Sequence, residues 1–191
     1  LAFRDTARQF ADKELAPFAA EWDQHGTFPK DTIRRAGELG FCALYCDEDQ
    51  GGMGLSRLDA ALIFEQMAAG CTSTTAFITI HNMATWMLSR FGSEAVRQRW
   101  NGPLMSGEAL ASYCLTEPGA GSDAASLKTS ARRDGDEYVL NGAKAFISGA
   151  GDTDLLVLMA RTGGPGAGGI SCFAIPADTP GVSYGRNEDK M

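Results

Sequence analysis

Tyr113-Cys114-Leu115-Thr116-Glu117-Pro118-Gly119-Ala120-Gly121-Ser122-Asp123 is the stretch on which the reading of this chain turns. It starts as the end of a strand and breaks into a loop with two glycines, a proline and free hydroxyls. A loop of this composition leaves backbone N–H groups unpaired and lets a ligand approach the main chain closely. It suits an anionic or ring-shaped partner.

Working outward, the hydrophobic period changes near residue 108. Upstream it is helical. Phe3, Ala7, Phe10, Ala11 and Phe18 recur at helical spacing, and Pro17 should kink or restart that helix. Pro29 suits the first turn of a second helix ending at Gly40. Phe41 to Cys46 is a short apolar connector. Ser56 with Asp59 three residues on predicts a capped helix start. Thr72 to Ser89 is apolar nearly all round, which predicts a helix buried between neighbours. Ser93 caps a last short helix through Arg97 and Trp100.

Downstream the pattern predicts strands over 111–115, 127–133, 137–140, 143–148, 155–160 and 170–175. Asp134-Gly135 and Asn141-Gly142 predict tight hairpins with type I′ turns. Gly163 to Gly169 predicts a surface hairpin, and the charged end over 184–191 has no closing element. No Gly-Lys-Ser/Thr follows the glycine-rich loop, so it is not a phosphate-binding P-loop.

The chain has 191 residues, 44% of them hydrophobic, enough for a core. With 24 acidic and 17 basic residues its formal net charge is -7, a poor match to nucleic acid. No apolar run approaches the roughly 20 residues that span a membrane. Five scattered cysteines point to a reducing compartment, and no histidine near Cys42 and Cys46 completes a metal site.

Two segments together carry a resemblance. Tyr113 to Asp123 matches Y-C-x-T-E-P-G-x-G-S-D, and Asn141-Gly142-Ala143-Lys144-Ala145-Phe146-Ile147-Ser148 matches N-G-x-K-x-[WF]-I-[ST]. In this order and spacing the chain closely resembles the acyl-CoA dehydrogenase family. The segments Glu21-Trp22-Asp23-Gln24, Gly70-Cys71-Thr72-Ser73-Thr74-Thr75, His81-Asn82-Met83 and Arg161-Thr162-Gly163-Gly164-Pro165 place the likeness among members that act on short branched chains of the isobutyryl-CoA type.

The resemblance implies an α+β fold: an N-terminal α-helical domain over 1–108, then a truncated antiparallel β-barrel-like domain over 109–191. The third, C-terminal helical domain would be absent. It implies FAD as cofactor and α,β-dehydrogenation of an acyl-CoA, with electrons passed to an electron-transfer flavoprotein, in a homotetramer. The family's catalytic glutamate falls outside this chain, so no catalytic residue is expected on it, and no metal.

The resemblance also assigns residues. Tyr113, Cys114, Leu115, Thr116, Glu117, Gly119, Gly121 and Ser122 would line the FAD, with Thr116 near the polar edge of the flavin ring. Ser122 would also touch the acyl-CoA. Phe146, Ile147 and Ser148 would pack against the ring; Phe146 and Ser148 stand where many members carry tryptophan and threonine. Thr75, Thr79 and Met83 share one helix face that would shape an acyl pocket, with helix-packing core the equal alternative. His81 reads as hydrogen-bonded core and Glu65 as structural.

Acyl-CoA oxidases and flavin monooxygenases share the fold, and a non-catalytic scaffold is a further alternative. The lack of a visible presequence favours a bacterial cytoplasm, with the mitochondrial matrix as the alternative.

Overall fold

A computed structural model of the protein describes residues 2–188; positions 189–191 of the charged end lie outside the described residues. Contacts divide the chain into two compact units, Leu1–Ala111 and Ser112–Met191.

The first unit holds α1 (Ala2–Phe10), α2 (Ala19–His25), α3 (Lys30–Glu38), α4 (Arg57–Ala68), α5 (Thr72–Phe91) and α6 (Glu94–Ser106). Pro17 interrupts the first helix as expected. Before it the helix widens into one π turn over Ala11–Leu15, closed by the Ala16 N–H on the Ala11 carbonyl at 2.9 Å. Ser56 and Asp59 form a reciprocal capping box at the start of α4, with bonds of 3.1 and 3.2 Å. Ser93 caps α6, which is longer than expected and carries Pro103 within it.

Phe10, Leu15, Ile33, Phe41, Leu44, Ile63, Met67, Phe77, Ile78 and Leu110 form the core of this unit. The apolar connector 41–46 is buried yet irregular; backbone at 36–40 and 53–55 pairs with much of it, and the Leu44 N–H and Phe41 carbonyl need side-chain partners. Asn82 on α5 supplies them: its Oδ1 accepts from the Leu44 N–H at 2.8 Å, and its Nδ2 donates to the carbonyls of Phe41 at 2.7 Å and Ile78 at 2.9 Å. Next to it, His81 is the buried hydrogen-bonded residue expected. Nε2 donates to the Leu104 carbonyl at 2.8 Å and Nδ1 accepts from the Ala111 N–H at 3.1 Å.

The second unit is built on β1 (Ala111–Cys114), β2 (Ser130–Asp134), β3 (Glu137–Asn141), β4 (Leu155–Arg161) and β5 (Ile170–Pro176). The sheet order is β1-β4-β2-β3, with β5 also pairing β4. β4 and β5 are antiparallel over seven residue pairs, from Leu155↔Pro176 to Arg161↔Ile170. Cys114, Leu156 and Ile175 are buried at the centre, with Ile147, Leu158 and Phe173 packed against them.

The expected antiparallel barrel-like domain is corrected here: the sheet is mixed and is not closed into a barrel. β2 meets β4 in parallel, and only at Ser130↔Arg161. Segment 143–148, expected as a strand, forms none, because its polar groups bond to the 115–117 loop instead of to a ladder.

The hairpins also differ. The β2–β3 turn has Gly135 and Asp136 at its centre, with positive φ only at Gly135 (+62°), the pattern of type II′ rather than I′. Gly142 makes no hairpin. It lies against Thr129, where a Cβ would collide with that residue's side chain and backbone.

Candidate functional site

β1 puts Ser112 and Cys114 on its buried side and leaves Tyr113 partly exposed between them. Burial pushes the Cys114 thiol up to about 12, with Lys144 opposing, so it is an inert core group. Beyond the strand, Glu117 to Ala120 closes a tight turn: the Glu117 N–H bonds to the Ala120 carbonyl at 3.0 Å and the Ala120 N–H to the Glu117 carbonyl at 3.1 Å. Pro118 and Gly119 are its central residues, and Pro118 presets the first of them. These two amides are therefore spent within the loop. Among the described residues, the N–H groups of Thr116, Gly119, Gly121 and Ser122 have no protein partner, and neither do the hydroxyls of Thr116, Ser122 and Ser148.

The Glu117 carboxylate turns inward. It is 7% exposed and accepts from the Lys128 N–H at 2.7 Å, the Thr129 N–H at 2.9 Å and the Lys144 ammonium at 2.8 Å. Burial alone would raise its pKa; the hydrogen bonds from Lys144, Thr129 and Lys128 outweigh that and bring it down to about 2. Lys144 also donates to the Leu115 carbonyl at 3.0 Å.

Lys144 and its neighbours bring the second motif against the first. The Ala145 N–H bonds to the Thr116 carbonyl at 2.9 Å, and the Ser112 hydroxyl to the Ser148 carbonyl at 2.7 Å. Thr153 completes this stitch, its hydroxyl 2.8 Å from that of Ser112. Between these anchors Phe146 stands out: it is 77% exposed and has φ +57°, the one non-glycine with positive φ among the described residues. An aromatic held in the left-handed region is strained, and such residues persist where their surroundings fix them. Ile147 packs partly into the core.

The structure thus places Tyr113, Leu115, Thr116, Phe146, Ile147 and Ser148 in two segments tied side by side. Cys114 and Glu117 face inward. Gly119, Gly121 and Ser122 sit on the exposed part of the loop, with open space around both glycines. A groove of about 740 Å³ opens next to Asp123, lined by Ser126, Lys128, Arg161, Gly164 and Pro165 among others. Arg161 is half-buried there and holds the carbonyls of Ala125, Leu127, Gly164 and Gly166 at 2.7–3.1 Å.

Sequence reasoning did not single out Lys144 and Arg161. Each is a lone cation next to apolar residues, Lys144 before Ala145 to Ile147 and Arg161 after Leu155 to Ala160, and that isolation was the signal available. The Thr75 and Thr79 hydroxyls turn back onto the Cys71 and Ala76 carbonyls of their own helix region. Glu65 is exposed. Among the described residues there is no helix long and apolar enough to cross a membrane, and no cluster of histidine, cysteine and carboxylate fit for a metal.

The chain is thus a helical unit followed by a β-unit that presents an exposed aromatic beside free hydroxyls, and known proteins define its class. Residues 1–108 match the acyl-CoA dehydrogenase N-terminal domain and residues 112–191 the middle domain. The chain belongs to the acyl-CoA dehydrogenase family. It is 58% identical over 189 residues to mitochondrial isobutyryl-CoA dehydrogenase of Bos taurus, spanning 99% of this chain and 45% of that one. To the Dictyostelium discoideum enzyme of the same name it is 52% identical over 190 residues, 99% of this chain and 46% of that one.

The chain therefore spans under half the length of these curated relatives. A glutaryl-CoA dehydrogenase of Mycobacterium smegmatis in complex with FADH2 shares the fold, with a TM-score of 0.91 at 29% identity over 100% of this chain and 48% of that one. The fold is one that holds FAD. The bacterial-cytoplasm expectation is corrected by these relatives, which are mitochondrial enzymes.

Proposed function

We propose that this chain supplies the FAD-holding part of a dehydrogenase for a short branched-chain acyl-CoA thioester, an isobutyryl-CoA-like substrate. The observation that carries the reading is Phe146, exposed and strained, fixed between the Thr116 loop and Ser148. Exposing an aromatic in a left-handed backbone makes sense when a flat ring covers it. The residues fit a flavin: free hydroxyls on Thr116 and Ser148, unpaired amides, and glycines with room around them.

Tyr113, Leu115, Thr116, Phe146, Ile147 and Ser148 would contact the ring region. Gly119, Gly121 and Ser122 would lie by the diphosphate, with Ser122 also reaching the acyl-CoA. Cys114 and Glu117 would contribute through the backbone they hold. FAD, when bound, accepts the hydride from the substrate β-carbon. The chain's own residues bind and orient, and their fixed N–H and O–H dipoles favour negative charge at the ring edge.

The branched-chain reading is supported by the identity to the two isobutyryl-CoA dehydrogenases. Valine breakdown in mitochondria, an electron-transfer flavoprotein as acceptor and a homotetramer go with it. Isobutyryl-CoA should bleach the flavin of the full-length protein under anaerobic conditions. Faster bleaching by butyryl-CoA would defeat the substrate assignment, and a colourless protein would defeat the FAD assignment.

One observation supports a narrower second reading. Glu117, the carboxylate buried in the cradle, is wholly committed to hydrogen bonds, so it is not available as a base. On this reading these residues hold flavin and leave the base to another part of the full-length protein, and the same cradle would equally serve oxidase or monooxygenase chemistry. Peroxide release on turnover without an added acceptor would identify that case.

A further inference from the structure

Three stretches of chain converge on the Glu117 carboxylate: its own loop, the Lys128-Thr129 backbone and Lys144. The two side chains are 7% and 9% exposed, with nearly all polar capacity directed at each other or at backbone. A well-packed apolar pair in the same space would avoid the desolvation cost of two charges, so stability alone gives no reason for this arrangement. What an ion pair with hydrogen bonds to Leu115, Lys128 and Thr129 supplies is fixed geometry.

That geometry bears on Phe146. Lys144 is anchored two residues before it, the Ala145 N–H one residue before and the Ser148 carbonyl two after. A strained φ persists when its flanks are over-determined.

Building on the flavin reading above, we infer that Glu117 and Lys144 are positioning residues: their pairing sets the spacing between the Thr116 loop and the Phe146–Ser148 segment, and so the grip on the flavin ring. The alignment continues past the pair. Thr129, whose N–H goes to Glu117, gives its carbonyl to the Arg161 N–H at 2.7 Å, and the Arg161 guanidinium holds the 164–166 loop.

The test uses the full-length flavin-loaded protein and separates stability from grip. Lys144→Met leaves Glu117 buried and unpaired, lowering both thermal stability and FAD affinity. The double variant Glu117→Gln/Lys144→Met removes both charges and should recover most of the melting temperature. It should still bind FAD about tenfold more weakly than the parent, with a shifted long-wavelength flavin band, because the spacing is no longer fixed.

A double variant with the parent's FAD affinity and spectrum would show that the pair is structural only and overturn the inference. If the double variant does not fold, Glu117→Asp decides, since it keeps the charge and shortens its reach: a loss of about threefold or more in FAD affinity supports the inference and an unchanged affinity overturns it. Failure of the unaltered protein to bind FAD would instead sink the flavin reading itself.

Discussion

The two units solve the same problem, holding irregular backbone in place, with different chemistry. In the helical unit the work falls to neutral side chains on one regular helix. Asn82 satisfies the Leu44 N–H and the Phe41 carbonyl of the connector, and His81 ties Leu104 to Ala111. In the β-unit it falls mainly to charged side chains, Glu117 and Lys144 on the loops and Arg161 at the end of β4, with the Ser112 hydroxyl holding the Ser148 carbonyl. Neutral groups are the cheaper way to satisfy buried backbone. Buried charges cost more to desolvate but are directional and unforgiving of misplacement. They occur in the unit whose loops end in exposed hydroxyls and an exposed aromatic. On the flavin reading proposed above, the difference teaches that the helical unit's polar core serves folding, while the β-unit's serves the shape of the site.

The largest expected effect is on the charged side of this comparison. Lys144→Met should destabilise the β-unit by roughly 3–5 kcal/mol, because one buried charge loses its partner. Trp22, Trp86 and Trp100 all lie in the helical unit, so tryptophan fluorescence reports that unit; of the four tyrosines only Tyr45 lies there too, so in a Tyr45→Phe background the near-ultraviolet tyrosine signal comes from Tyr113, Tyr138 and Tyr184 of the other. Urea titration should show the tyrosine signal moving first. A larger shift of the tryptophan signal would break the contrast.

On the neutral side, Asn82→Leu strands the Leu44 N–H and the Phe41 carbonyl, and should cost about 3 kcal/mol. Here the tryptophan transition should move first. An equal loss from both variants in both signals would remove the distinction between the units.

Acid sharpens the comparison further. Glu117 titrates near 2 in the folded protein against its ordinary 4.5, so the folded state holds that proton less tightly than the unfolded chain. The resulting stability is fully present above about pH 4.5 and is lost as pH falls toward 2, amounting to roughly 3 kcal/mol. Glu117→Gln should flatten the pH dependence of stability across that window. A profile as steep as the parent's would place the acid sensitivity elsewhere.

The smallest effect is local. Ser56→Ala removes half of the α4 capping box and should cost about 1 kcal/mol in urea denaturation at any pH from 5 to 8. A loss near 3 kcal/mol would mean that this cap, rather than the buried Asn82, holds the helical unit together.

Local chemistry made much of the fold legible. The Pro17 break, the Ser56–Asp59 cap, the buried 41–46 connector and the continuous apolar run of β4 all follow from residue type and spacing. The open, mixed sheet did not. Whether 143–148 joins a ladder depends on where Lys144 and Ala145 find partners, and those partners lie more than twenty residues away in sequence, at Leu115 to Glu117.

The candidate site shows the same limit. Its two motifs could be read, but not that Glu117 turns inward, that the Pro118-Gly119 turn consumes two of the loop amides, or that Phe146 adopts a left-handed backbone. Nothing in Ala145-Phe146-Ile147 signals positive φ, since aromatics avoid it; the anchors on either side impose it.

Hydrogen exchange of the full-length protein with and without FAD tests the central claim most directly, that two segments tied through Glu117 and Lys144 form one flavin cradle. The account predicts that added FAD slows exchange in peptides covering 115–123 and 144–150 together and to similar degree. Protection of one segment without the other, or confined to peptides outside both, would contradict it.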